Sequence, residues 1–166
     1  MSHVEQEAFP MNDYSGEFVE TRMRPGWDEY FFGFAAQAAA RSDCLRAQVG
    51  AVIVNRRKKV KGTGYNNSPV GVESCLSRGV CYRMEHNVPS GTRYETCRSI
   101  HAEQNAIIQA GEDDCVGSTI YIFGHNQVCI LCKRFILNAG IERVLLKKSH
   151  ESPVLEVDPR SWRAEL

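Results

Sequence analysis

Apolar positions along the chain fall into short blocks, and the spacing inside each block changes from one to the next. Residues 27–42, WDEYFFGFAAQAAARS, follow the break at Pro25-Gly26 and are Ala-rich, with Tyr30, Phe31, Phe34 and Ala38 three to four positions apart. That spacing predicts a helix with this face inward. Val49–Val54 is a short β-branched run, which predicts a buried strand. Arg56–Lys59 is a basic turn and a second strand begins at Val60, so the two strands form an antiparallel hairpin. From Asn66 to Arg98 there is little periodicity, and a loop this long is uncommon inside a compact domain. Ser99–Ala110 returns to helical spacing, with Ser99 as the expected N-cap, Ala102, Ala106, Ile107 and Ala110 on one face, and Gly111 as the stop. Ser118–Phe123 is a strand and Gly124–Val128 a loop. Cys129–Asn138 is a helix with Leu131, Phe135 and Ile136 apolar, and Ile141–Leu146 is a further strand.

Strands separated by helices of about ten residues make crossover units, and crossovers bring parallel pairing. The expected fold is α/β: a three-layer α/β/α sandwich around a mixed five-stranded sheet, four of whose strands this pattern places. At 166 residues the chain suits one domain. The expected organisation is a polar arm over 1–24, the domain over 25–150 and a short tail over 151–166.

Charge narrows the function. Lys+Arg and Asp+Glu number 20 each. A protein that grips a phosphate backbone usually carries a basic excess, so a dedicated nucleic-acid binder is disfavoured. No run is long and apolar enough to span a membrane, and the N-terminal stretch has no apolar core of the kind an export signal needs. A cytoplasmic location is expected. In that compartment disulfides are rare, so seven cysteines point to metal ligation or catalysis.

Two motifs sit where loop passes into helix: His101-Ala102-Glu103 and Cys129-Ile130-Leu131-Cys132. Cysteines at i and i+3 of a helix start share one face. Both sulfurs can then reach one zinc ion, and the electropositive helix N-terminus favours the thiolate. His101 supplies a third ligand, and three protein ligands leave the fourth tetrahedral position for water, as in a catalytic rather than a closed structural site. Glu103 can take and deliver that water's proton. Either motif alone is weak: C-x-x-C occurs in structural half-sites and redox pairs. Together, H-x-E with C-x-x-C is the known signature of zinc nucleobase deaminases.

The blocks WDEYFFGFAAQAAARSDCLRAQVGAVIV, GTGYNNSPVG, SGTRYETCRSIHAEQNAI and CILCKRFILNAGIERV resemble the deoxycytidylate (dCMP) deaminases over about 24–144. That resemblance implies hydrolysis of dCMP to dUMP and ammonia, a hexamer, activation by dCTP and inhibition by dTTP. It implies His101, Cys129 and Cys132 as catalytic zinc ligands and Glu103 as the proton shuttle. It places Asn66 against the sugar and the Ala102 N–H on the pyrimidine O2. It also matches Cys44, Cys75, Cys81 and Cys97 to a second, structural zinc. A metal would brace the long loop, which has too little apolar surface to order itself; four ordinary buried thiols are the alternative.

Three departures from the family pattern stand out. Val128 replaces the usual proline before the first cysteine. The loop Gly124-His125-Asn126-Gln127 offers His125 as a group to stack on the base. After the last strand, Lys147-Lys148-Ser149-His150 lacks a tyrosine near the phosphate, leaving Lys147, Lys148 and Arg46 as candidates for that contact. Other cytosine nucleosides or nucleotides, tRNA adenosine, and a zinc module without catalysis are the alternative readings.

Overall fold

The structure is a computed structural model that describes residues 23–166; most of the expected arm lies outside the described residues. In chain order the elements are α1 (Trp27–Ala39), β1 (Gly50–Val54), β2 (Val60–Tyr65), the short α2 (Cys75–Arg78) and α3 (Tyr82–Glu85), a 3-10 turn (Tyr94–Thr96), α4 (Ala102–Ala110), α5 (Glu112–Cys115), β3 (Thr119–Phe123), α6 (Ile130–Asn138), β4 (Arg143–Lys147), β5 (Leu155–Val157) and a terminal 3-10 helix (Pro159–Ala164).

The sheet order is β2-β1-β3-β4-β5. β1 is buried at all five positions because it is flanked by a strand on each side and covered on both faces. It runs antiparallel to β2 and β3, and β3 pairs parallel with β4 across the α6 crossover. Alternation along the strands sorts two cores. Ala51, Ile53, Ile120, Ile122, Val144 and Leu146 face α4 and α6. Val52, Val54, Tyr121 and Leu145 face α1, where Phe31, Phe32 and Ala35 meet them. These are the three layers that the sequence pattern implies.

The expected inward face of α1 is corrected. Phe31, Phe32, Ala35 and Ala39 are buried, while Tyr30 and Phe34 are 46% and 40% exposed. Aromatics point in nearly every direction from this helix, so spacing alone cannot choose a face; backbone proximity does. A Cβ on Gly50 would lie 2.0 Å from the Ala35 carbonyl oxygen, so the glycine lets α1 rest on β1 along its alanine ridge.

α4 lies against β2 by the same device. A Cβ on Gly64 would meet the Ala102 oxygen at 2.2 Å and the Ala106 nitrogen at 2.4 Å. Ser99 does not cap α4; His101 holds the N-cap position. The long loop contains three short helical turns. Residues 151–166, expected as a tail, supply the fifth strand, β5, antiparallel to β4, and carry Trp162, 5% exposed, into the α6-side core. Leu155 and Glu156 are exposed, so no strong apolar alternation marks this strand in the sequence. No helix among the described residues is long and apolar enough to cross a membrane.

Candidate active site

The two motifs converge because α4 and α6 start side by side on one face of the sheet. Ile100 forms a bridge with Asn67, exchanging backbone hydrogen bonds of 2.9 and 3.2 Å, so the residue before His101 is held as if at a strand end. The Asn105 side chain donates to the Tyr65 carbonyl at 2.8 Å and to Asn67 Oδ1 at 2.7 Å, tying α4 to β2. The His101 N–H donates to Gln104 Oε1 at 2.9 Å, the reciprocal half of a capping box. Cys129 caps α6, and its sulfur accepts the Cys132 N–H at 3.4 Å.

His101 Nδ1 lies 3.3 Å from Cys129 Sγ and 3.4 Å from Cys132 Sγ, and all three atoms lie within 4.8 Å of one another. Tetrahedral coordination at Zn–S of about 2.3 Å and Zn–N of about 2.0–2.1 Å separates nitrogen from sulfur by about 3.6 Å. The three side chains therefore fit one zinc ion closely, with Nδ1 as the histidine donor. Hydrogen bonding from the Cys132 thiol, with further help from His101, brings the Cys129 thiol down to about 4 despite burial. Burial opposes the charge on His101, yet its sulfur partners and Glu103 raise it to about 10. The Cys132 thiol, hydrogen-bonded to Cys129 and buried, is pushed up.

Glu103 is 5% exposed, and burial lifts its carboxyl above the ordinary range against the pull of its own backbone N–H. It lines a cavity of about 190 Å³ together with His101, Ala102 and Cys129. Asn66 and His125 reach the same cavity. Asn66 is already heavily used: Oδ1 accepts from Ser42 Oγ at 2.7 Å and from the Val49 N–H at 2.8 Å, and Nδ2 donates to the Ala47 carbonyl at 2.7 Å. His125 Nδ1 accepts the Gln127 N–H at 3.2 Å. Lys147 and Lys148 do not line the cavity, whereas Arg46 does.

The four remaining cysteines of the expected second site are gathered but not closed. The Cys75 thiol is pushed up to about 11 by burial and by Cys81, Cys44 and Cys97 around it, and it is hydrogen-bonded to Cys81. Cys97 also pairs with His101, which draws its thiol down. Among the described residues only His101, Cys129 and Cys132 form a tight metal-binding group.

Two cavity residues were not singled out in the sequence. Tyr94 packs edge-on against His101, ring centres 5.1 Å apart, and the Arg83 guanidinium lies 4.9 Å from the Tyr94 ring centre. Both belong to the aperiodic loop, where spacing carries no signal.

Residues 25–148 match the family described as the cytidine and deoxycytidylate deaminase zinc-binding region. The chain belongs to this family. A deoxycytidylate deaminase of Mycobacterium phage D29 is 42% identical over 130 residues, 75% of this chain and 97% of that protein. A deoxycytidylate deaminase of Schizosaccharomyces pombe is 37% identical over 129 residues, 78% of this chain, and the match spans only 39% of the longer yeast protein. The dCMP deaminase of cyanophage S-TIM5 in apo form has a similar fold, with a TM-score of 0.56, 23% identity and coverage of 78% of this chain and 88% of that one. Membership makes the protein a zinc-dependent hydrolytic deaminase, and the His/Cys/Cys group fits that metal.

Proposed function

We propose that the protein deaminates dCMP to dUMP and ammonia, with His101, Cys129 and Cys132 as the zinc ligands and Glu103 as the proton shuttle. One observation carries this reading: a close-set His/Cys/Cys donor group, two of whose members line the cavity, and a buried carboxylate two residues after the histidine that lines it too. Relatives at 42% and 37% identity, which carry the name deoxycytidylate deaminase, support the substrate. When bound, zinc supplies Lewis acidity and brings the pKa of a water to about 7.

The remaining chemistry belongs to the chain. The Ala102 N–H, in the first turn of α4, holds the pyrimidine O2. Glu103 takes a proton from the attacking water and gives it to ring N3, then takes the proton of the new C4 hydroxyl and gives it to the departing amino group. The C4–N bond breaks as a C4 carbonyl forms, so water and dCMP balance dUMP and ammonia. A carboxyl raised by burial is suited to this exchange near neutral pH. Asn66, held by Ser42, Ala47 and Val49, retains an N–H to offer the sugar. His125 stacks on the base from the loop after β3.

The test is a substrate panel of dCMP, CMP, deoxycytidine and tRNA, followed by release of ammonia. Turnover of dCMP is expected; activity on deoxycytidine with none on dCMP would overturn the substrate assignment. Glu103→Gln should retain zinc and melting temperature while losing about 10²–10⁴-fold in turnover.

A second, structural zinc on Cys44, Cys75, Cys81 and Cys97 belongs to the same proposal, supported by the crowding of the thiols around Cys75. Elemental analysis should find two zinc ions per chain, falling to one in Cys75→Ser. One ion in the unmodified chain would retire this site. Homo-oligomerisation, with a hexamer as the expected form, and regulation by dCTP and dTTP complete the reading carried by the family likeness.

A further inference from the structure

Two asparagines outside the cavity close a ring of hydrogen bonds around the start of α4. Asn67 follows Asn66 on the segment that leaves β2. Its backbone exchanges two hydrogen bonds with Ile100, the residue before His101. Its Oδ1 accepts from Asn105 Nδ2 at 2.7 Å, and its own Nδ2 donates to the Ser68 carbonyl at 2.8 Å. Asn105 gives its other amide hydrogen to the Tyr65 carbonyl at 2.8 Å, and its backbone N–H donates to the His101 carbonyl at 3.1 Å. The ring therefore runs from Asn67 to Ile100, His101 and Asn105 and back to Asn67. The Tyr65 and Ser68 carbonyls can only accept, so they fix which end of each carboxamide faces the other.

Neither asparagine lines the cavity, so any effect on the reaction passes through the residues the ring encloses. Those are His101 and, between it and Asn105, Glu103. The other ties at this helix start do different work. The capping box between His101 and Gln104 is internal to the segment and travels with it. The contact of α4 with Gly64 sets how near the helix comes to β2, but steric contact does not fix its slide or roll. Hydrogen bonds are directional and do fix them. Only the two asparagines grip the segment on both sides of His101 and refer it to the end of β2.

We propose that Asn67 and Asn105 are positioning residues that act as one clasp, aligning the His101 imidazole and the Glu103 carboxyl, and that they set kcat rather than substrate affinity. The proposal rests on the reading that those two groups serve deamination of dCMP. A reacting group misplaced by about 1 Å loses on the order of 100-fold in rate, so a clasp with no ligand contact of its own still governs turnover.

The experiment compares the unmodified chain with Asn67→Ala, Asn105→Ala, the double variant and Phe32→Leu, which loosens the core on the opposite face of the sheet. kcat and KM for dCMP are measured well below each melting temperature and expressed per bound zinc. Alanine is the better helix former, so Asn105→Ala does not weaken α4 itself. Each single variant should lose about 10- to 100-fold in kcat, with KM within about threefold of the unmodified value. The double variant should fall no lower than Asn105→Ala, because residues that act as a unit are not additive. Phe32→Leu should melt earlier and keep its kcat. A second readout needs no turnover: cobalt(II) loaded in place of zinc has absorption bands that follow the geometry of its ligands. Those bands should shift in the asparagine variants and not in Phe32→Leu, and any contribution from Cys44, Cys75, Cys81 and Cys97 is common to all chains and cancels. Unchanged kcat in both single variants overturns the proposal, as does a rise in KM alone or a double variant whose losses multiply. Asn67→Ala leaves the Ile100 bridge and the Tyr65 bond in place, so it tests the clasp even where Asn105→Ala does not fold. If the unmodified chain does not turn over dCMP, the catalytic reading fails and the cobalt bands decide the clasp alone: shifted bands sustain it and unshifted bands end it.

Discussion

At the scale of single residues, the clearest lesson is Asn66. In the sequence it is an asparagine in a turn, and the family likeness assigns it to the sugar. Its carboxamide also acts as a junction, taking hydrogen bonds from Ser42 and Val49 and giving one to Ala47. Those three partners set the segment that runs from α1 into β1 and forms one wall of the cavity. Replacing Asn66 with Ala strands buried donors and acceptors, each of which costs about 1–3 kcal/mol when left unpaired. Chemical denaturation of Asn66→Ala should show a loss of about 2–4 kcal/mol with zinc still bound. A loss within experimental error would mean the junction is dispensable and Asn66 is there for ligand alone. Residue chemistry that depends on fixed local spacing, as with His101, Glu103, Cys129 and Cys132, could be read directly. Arg83 and Tyr94 could not, because their meeting with His101 is set by the path of a loop without periodicity.

Among elements, the strands and crossovers were legible because β-branched runs and helical spacing are local signals. Helix orientation was less so. The pattern selects Tyr30 and Phe34 for the interior of α1, but the structure turns them out and packs Phe31, Phe32 and Ala35. The deciding information lies in the glycines of the strands beneath, far along the chain. α4 depends on the same kind of contact, and its N-terminus carries His101 and Glu103. A methyl on Gly64 would drive into the Ala102 oxygen and the Ala106 nitrogen, both backbone atoms that cannot rotate away. Gly64→Ala should therefore shift α4 outward, costing about 1–3 kcal/mol in stability and weakening zinc retention against a chelator. If Gly64→Ala melts and holds zinc like the unmodified chain, α4 is not seated by this contact.

For the whole molecule, the C-terminal segment shows how the layers are joined. Asp28 at the start of α1 accepts a hydrogen bond from the Tyr121 hydroxyl of β3 at 2.7 Å and pairs with Arg143 of β4 at 3.4 Å. Arg143 in turn pairs with Glu156 of β5 at 2.6 Å. The network links one helix and three strands, including the strand that spacing did not reveal because its outer residues are exposed. Burial works to raise the Asp28 carboxyl, but the hydrogen bonds from Tyr121 and Arg143 outweigh it and hold the group below its ordinary 3.8. The hydrogen bond from Arg143 likewise holds Glu156 below its ordinary 4.5. For a carboxyl depressed on folding, the stabilisation is fully present above its unfolded value and disappears as pH falls through the lower folded value. Urea midpoints for the unmodified chain and Asp28→Asn, measured from pH 7 downward, should thus differ by a constant amount near neutrality and converge below about pH 4. Protonation of the zinc ligands destabilises both chains alike and drops out of the difference. A gap that stays level or widens in acid would show that the Asp28 charge does not join α1 to the sheet, leaving that junction to the aromatic packing of Phe31 and Phe32 on Tyr121.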